Sequence, residues 1–184
     1  MTNASIDRES VARAIADASL LRGTFTLRSG RTSSYYLDKY RFSTRPEVLG
    51  PVAGLFAERI ASIAEPSGID RLAGAELGGI PLVAATCLAT GHPTLFVRNA
   101  KKDYGTAKQL EGLVEAGDKV VFLEDVATTG GQALEAVQVL RDAGAEVLAI
   151  IAAIDREEGA RENIEGAGLR FEALFTKRDL GVED

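Results

Sequence analysis

Residues 120–132, VVFLEDVATTGGQ, decide how the rest of the chain is read. Four apolar residues run into an acidic pair, Glu124 and Asp125, and then into a Thr/Gly turn, after which the helix-like pattern ALEAVQVLRDAG begins. A strand, a tight loop and a helix in that order place the loop at the carboxyl end of a buried parallel strand. Ligands of open α/β sheets collect at that edge. Thr128, Thr129, Gly130 and Gly131 offer hydroxyls and unhindered amides at the start of a helix, where unpaired N–H groups and the helix dipole favour a phosphate. Glu124 and Asp125 are anionic and do not suit that phosphate; they match sugar hydroxyls, which donate to a carboxylate directly. The segment therefore points to a phosphorylated sugar. The bland alternative is a strand that ends in solvated acidic residues before an ordinary glycine turn. It is not a Walker loop, since no Lys follows the glycines, and no G-x-G-x-x-G opens the helix.

Working outward, 184 residues suit one α/β domain with a small added subdomain. The formal charge of −6, from 27 acidic and 21 basic residues, argues against nucleic acid as the main partner. Cys87 is the single cysteine and His92 the single histidine. No disulfide framework, Cys- or His-based metal site or Ser-His-Asp triad is therefore available. The first twenty residues carry acidic charges and lack a signal-type apolar segment. No apolar stretch approaches the roughly 18 residues of a membrane span. A soluble cytoplasmic protein without membrane contact is expected.

In chain order, apolar spacing predicts a helix over 6–21, capped by Ser5 or Asp7 and closed by Gly23. Short strands at 24–27 and 35–37 follow, separated by the basic bend RSGRTS. Arg28, Arg31 and Lys39 make this region positive, and Tyr35 and Tyr36 give it flat surfaces. A helix over 46–63 begins at Pro46. A strand over 69–75 leads into the loop Glu76, Leu77, Gly78 and Gly79 and then an apolar helix, so that a second set of free amides favours an anion. Residues 93–98 (PTLFVR) form a strand, and 99–109 (NAKKDYGTAKQ) a polar loop with three lysines. Residues 113–114 pair briefly with the sheet. Beyond the central helix, 131–143, the run EVLAIIAAI at 146–154 is an interior strand whose end presents Arg156 to the crevice; its alternative is a surface pairing with Asp155, Glu157 or Glu158. Residues 170–175 form an edge strand.

Five segments together carry a family resemblance. VVFLEDVATTGGQ resembles the phosphoribosyl pyrophosphate (PRPP) motif of the type I phosphoribosyltransferases. FTLRSGRTSSYYLD, the lysine-rich loop VRNAKKDYGTAKQLEG and the DREEG segment at Arg156 resemble orotate phosphoribosyltransferases, and GAELGGIPLVAA resembles their pyrophosphate loop. The resemblance covers residues 20–180 and implies an open parallel sheet flanked by helices, with a small N-terminal hood subdomain. Residues 1–45 then hold the N-terminal helix and the hood or base-binding region, and 46–184 the core with its mobile loop 99–109.

The implied reaction joins orotate to PRPP, giving orotidine 5′-monophosphate and pyrophosphate in de novo pyrimidine synthesis. Asp125 and Glu124 act at the ribose, with Lys102 and Arg98 as catalytic cations. Thr128, Thr129, Gly130, Gly131, Glu76, Leu77, Gly78, Gly79, Arg98 and Lys102 bind PRPP; Arg28, Tyr35, Tyr36, Thr128 and Arg156 bind the base side of the substrates. Mg²⁺ arrives with PRPP, held by its oxygens and water, with no protein ligand named. A homodimer is implied, the loop 99–109 of one subunit completing its partner's site. Against the family pattern, Arg28, Gly78 and Asn99 each stand where a lysine is common, Ala100 replaces a glutamate, and Tyr104 a histidine. The alternatives are a phosphoribosyltransferase for purines or another base, and a non-catalytic PRPP-sensing homologue.

Overall fold

The computed structural model describes residues 6–26, 30, 32–64, 68–99 and 109–183. At its centre is β6 (Lys119–Ala127), a strand whose side chains alternate between two cores. Val121 and Leu123 join a cluster with Ile15, Phe42, Phe56 and Leu72, while Val120 and Phe122 join another with Leu95, Val137, Leu140 and Ile164. Period-two burial on both faces is what an interior parallel strand needs. Full burial of Phe122 alone is worth about 1.5–3 kcal/mol.

Around β6 the sheet runs β5-β4-β3-β6-β7-β8. Its members are β3 (Arg71–Ala75), β4 (Thr94–Val97), β5 (Leu110–Glu111), β7 (Glu146–Asp155) and β8 (Arg170–Thr176). Every pairing is parallel except β4 with β5. Parallel neighbours require crossovers, and helices supply them: α4 (Gly79–Thr90) after β3, α5 (Gly131–Asp142) after β6 and α6 (Ala160–Gly166) after β7. The α/β expectation holds.

Ahead of the sheet come α1 (Arg8–Ser19), β1 (Leu20–Thr26), β2 (Thr32–Leu37), α2 (Lys39–Ser43) and α3 (Pro46–Ala64). Asp7 caps α1 by accepting from the Glu9 amide at 3.2 Å. Val11, Ala12, Ile15 and Ala18 bury α1 in the same core as α3, and Arg8 donates to the Leu174 carbonyl of β8 at 2.6 Å. The antiparallel pair β1–β2 forms a separate two-stranded sheet.

Several boundaries differ from expectation; the strand expected at 35–37, for example, already begins at Thr32. The first helix stops at Ser19 rather than at Gly23, because Leu20 already pairs with Leu37 and the Ser19 carbonyl accepts from the Asp38 amide at 2.9 Å. Gly23 instead lies inside β1, where the register shifts. The brief pairing expected at 113–114 occurs at Leu110–Glu111: Leu110 packs against the core, whereas Leu113 is 83% exposed. The short helices α2 and α6 carry too few residues to give a readable period.

Candidate active site

Because β3, β4, β6 and β7 are parallel, their carboxyl ends open on one edge. There lie the 76–79 loop, Arg98, the 128–131 turn and Arg156. A cavity of about 300 Å³ is lined by Lys39, Glu76, Gly78, Gly79, Arg98, Asn99, Glu124, Asp125 and Gln132, among others. Beside it a hollow of about 150 Å³ is walled by Thr128, Thr129, Gly130, Gly131 and the first turn of α5. Glu124 lines both spaces and Asp125 only the larger one.

The smaller hollow is built from a backbone turn. Gly130 takes a left-handed φ of +78°, and a Cβ there would meet the Ile164 side chain at 2.9 Å. Both facts require glycine. The side-chain amide of Asn163 donates to the Thr129 carbonyl at 2.9 Å and ties the turn to α6. Thr128 is half-buried and Thr129 exposed, at the mouth of a helix N-terminus. That arrangement suits an anion.

Asp125 is only 2% exposed, and its carboxylate is held from two sides. Its Oδ1 accepts from the Val126 amide at 2.6 Å, and Lys39 Nζ lies 2.8 Å from Oδ2. Burial works against the Lys39 charge, but the Asp125 carboxylate outweighs it, so the ammonium is held above its ordinary value of 10.5. Glu124 behaves oppositely. Burial, and then the neighbouring Asp125 charge, push its carboxyl well above the ordinary 4.5.

On the 76–79 side, the side chain of Glu76 accepts from the Asn99 amide at 2.7 Å. The Glu76–Leu77 peptide is cis. Gly78 abuts the acidic pair: a Cβ there would stand 1.5 Å from Asp125 Oδ2. Arg98 lines the cavity with a buried Nε that has no partner among the described residues, and its Nη1 lies 4.0 Å from Glu111. Gln109 clamps the base of the loop, its side-chain amide donating to the Arg98 carbonyl at 2.9 Å.

Arg156 anchors the far side. Its Nη2 donates to Tyr35 Oη at 3.1 Å and pairs with Glu158 at 2.8 Å, its guanidinium lies 5.3 Å from the Tyr35 ring centre, and its buried Nε has no partner among the described residues. The ion-pair alternative is present, with Glu158, and Arg156 lines neither of the two hollows. Tyr35 and Tyr36 are consecutive on β2 and point to opposite faces. Tyr36 stacks on Phe25 with ring centres 5.7 Å apart and is 46% exposed, away from Arg156. Leu77 is 63% exposed and does not line either hollow. Arg28, Lys102 and most of the 99–109 loop lie outside the described residues.

The sequence at 48% of positions over 168 residues is that of orotate phosphoribosyltransferase from Natronomonas pharaonis, the match covering 91% of this chain and 93% of the relative. The chain belongs to the orotate phosphoribosyltransferase family. No family model matches. Among solved structures, the Mycobacterium tuberculosis orotate phosphoribosyltransferase in complex with Fe(III) dicitrate superposes with a TM-score of 0.84 at 33% identity, over 96% of this chain and 99% of that one. The same enzyme in complex with PRPP gives 0.80 at 32% identity, again over 96% and 99%.

Lys39 is the site residue that sequence reading missed in this member of the family. Its charge was visible, but 86 residues separate it from Asp125. Gln132, the last residue of the 120–132 motif, and Glu135 on the first turns of α5 were given no role of their own, although both line the larger cavity.

Proposed function

We propose that this protein transfers the phosphoribosyl group of PRPP to orotate, releasing pyrophosphate and forming orotidine 5′-monophosphate for pyrimidine synthesis. The observation that carries the reading is the adjacency of two anion cradles on either side of a buried acidic pair. The 128–131 turn takes the 5′-phosphate, Glu124 and Asp125 accept from the ribose hydroxyls, and the 76–79 loop with Arg98 takes the diphosphate. Orotate sits towards Tyr35 and Arg156, where the unpartnered guanidinium N–H matches a carboxylate or ring oxygen.

Departure of pyrophosphate leaves positive charge at C1 of the ribose. The fixed carboxylate of Asp125, 2% exposed, stabilises that charge without reorganising. Orotate is already an anion, so no general base is needed. Carboxylate oxygens at Glu124 and Asp125 are the hard donors that would hold Mg²⁺ brought with PRPP, whose charge would offset that of the leaving diphosphate.

The working unit in this reading is a homodimer in which Lys102 and the 99–109 loop complete the partner's site, while residues 1–45 carry the base-binding region. Support comes from apolar side chains left open on and before α4, Leu88 at 89% and Leu77 at 63% exposure. No helix among the described residues is long and apolar enough to cross a membrane, and the cytoplasm is the proposed compartment.

The test is pyrophosphate release from PRPP and Mg²⁺ with orotate, uracil, adenine and hypoxanthine in parallel. Release with orotate alone is expected. Release with a purine and none with orotate would replace the base assignment, and no release with any base would favour a PRPP-sensing role.

A further inference from the structure

Lys39 follows β2 by two residues and opens α2, so it belongs to the base-side region of the chain, yet its ammonium reaches across the crevice. Nζ lies 2.8 Å from Oδ2 and 3.2 Å from Oδ1 of Asp125, and the side chain lines the larger cavity together with Gly78, Gly79, Arg98 and Glu124. That cavity is where the acidic pair and the 76–79 loop meet. In the phosphoribosyl reading above, the C1–O bond of PRPP to its diphosphate belongs at this junction.

The 76–79 loop brings a carboxylate, Glu76, but no cation of its own to this point. With Asp125 in its observed place, a Cβ at position 78 would overlap Oδ2 at 1.5 Å. Any cation there has to come from another element. Among the described residues that line the cavity, Lys39 and Arg98 are the cations, and Arg98 stands at the opposite wall towards Glu111.

From this geometry we infer that Lys39 is a PRPP-binding residue, whose ammonium contacts the diphosphate oxygens next to C1 once ribose hydroxyls occupy the Asp125 carboxylate. The inference rests on the phosphoribosyl reading above. In the substrate-free protein the ammonium is the counter-ion of Asp125; on binding, the hydroxyls donate to Oδ1 and Oδ2, and Nζ is left beside the most highly charged part of the ligand. One cation thus serves the empty and the filled site. A charge-assisted hydrogen bond of this kind corresponds to about a ten- to hundredfold change in affinity.

The experiment compares wild-type protein with Lys39→Met and Lys39→Arg by titration calorimetry, using PRPP, inorganic pyrophosphate and ribose 5-phosphate as probes in Mg²⁺ buffer. Lys39→Met is expected to weaken PRPP and pyrophosphate by about tenfold or more, to leave ribose 5-phosphate within about threefold, and to leave the KM for orotate unchanged. Lys39→Arg is expected to recover most of the pyrophosphate affinity. Unchanged PRPP affinity in Lys39→Met would overturn the inference. So would an equal loss for ribose 5-phosphate, which marks Lys39 as a support for Asp125 only. If Lys39→Met does not fold, Lys39→Arg decides: pyrophosphate and ribose 5-phosphate weakened alike overturns the inference, and both retained supports it. Wild-type protein that binds no PRPP would instead overturn the phosphoribosyl reading itself.

Discussion

Lys39 and Asp125 are 86 residues apart in the chain, and their charged atoms Nζ and Oδ2 lie 2.8 Å apart at the head of the central strand. The pair joins the N-terminal region to the core through a carboxylate that is almost wholly buried. Replacing Asp125 with Asn keeps the shape but leaves the ammonium without its counter-charge. We expect turnover with any base to fall by about a hundredfold or more, as for loss of one fixed transition-state contact. Stability should fall by about 1–3 kcal/mol, below the figure for a fully buried pair because Lys39 is 35% exposed. Steady-state kinetics and urea denaturation measure the two effects.

Glu124 predicts a pH dependence of the opposite sign to an ordinary ion pair. Burial and the Asp125 charge raise its folded value above 4.5, so the folded protein holds a proton that the unfolded chain has released. Its contribution to stability is full below 4.5 and is lost as pH rises through the folded value. Glu124→Gln removes this loss. The variant should melt above wild type at neutral pH, by about 2–4 °C for each kcal/mol regained, and the two should converge below pH 4.5. Calorimetric melting across that window checks it; a variant that melts lower than wild type at neutral pH would contradict the assignment.

Arg156 and Tyr35 divide the base side. Arg156→Ala should raise the KM for orotate by about ten- to hundredfold while PRPP affinity stays within about twofold. Tyr35→Phe removes only the hydroxyl that accepts from Arg156 at 3.1 Å, and a smaller effect, about two- to tenfold, is expected. Equal losses for orotate and PRPP in Arg156→Ala would mean that it supports the whole crevice.

Gly78 tests the contact between the two halves of the site. Its added methyl in Gly78→Ala would sit 1.5 Å from Asp125 Oδ2, so the carboxylate has to swing away or the loop has to shift. A stability cost of about 1–3 kcal/mol is expected, with PRPP affinity reduced and the KM for orotate little changed. Denaturation and PRPP titration report on both.

Much of this was legible in sequence where the physics is local. The apolar run into Glu124 and Asp125, and the Thr128–Gly131 turn into α5, are fixed by strand burial, glycine backbone freedom and a helix start, all within a dozen or so residues. Relationships set by tertiary packing were not legible. Lys39 looked like one of several cations near a bend until the fold brought its ammonium to Asp125. Tyr35 and Tyr36 read as one aromatic pair, yet strand alternation sends only Tyr35 to Arg156. The β5 position depended on which leucine, Leu110 or Leu113, meets the core, and no period exists in a two-residue strand.

The most direct test of the account is the loss of orotate absorbance when PRPP and Mg²⁺ are added to the purified protein, followed side by side in wild type and Asp125→Asn. Rapid loss in wild type, with one orotidine 5′-monophosphate and one pyrophosphate formed per orotate consumed, and little or none in the variant, is the predicted result. No loss in wild type, or the same rate in both proteins, would contradict it.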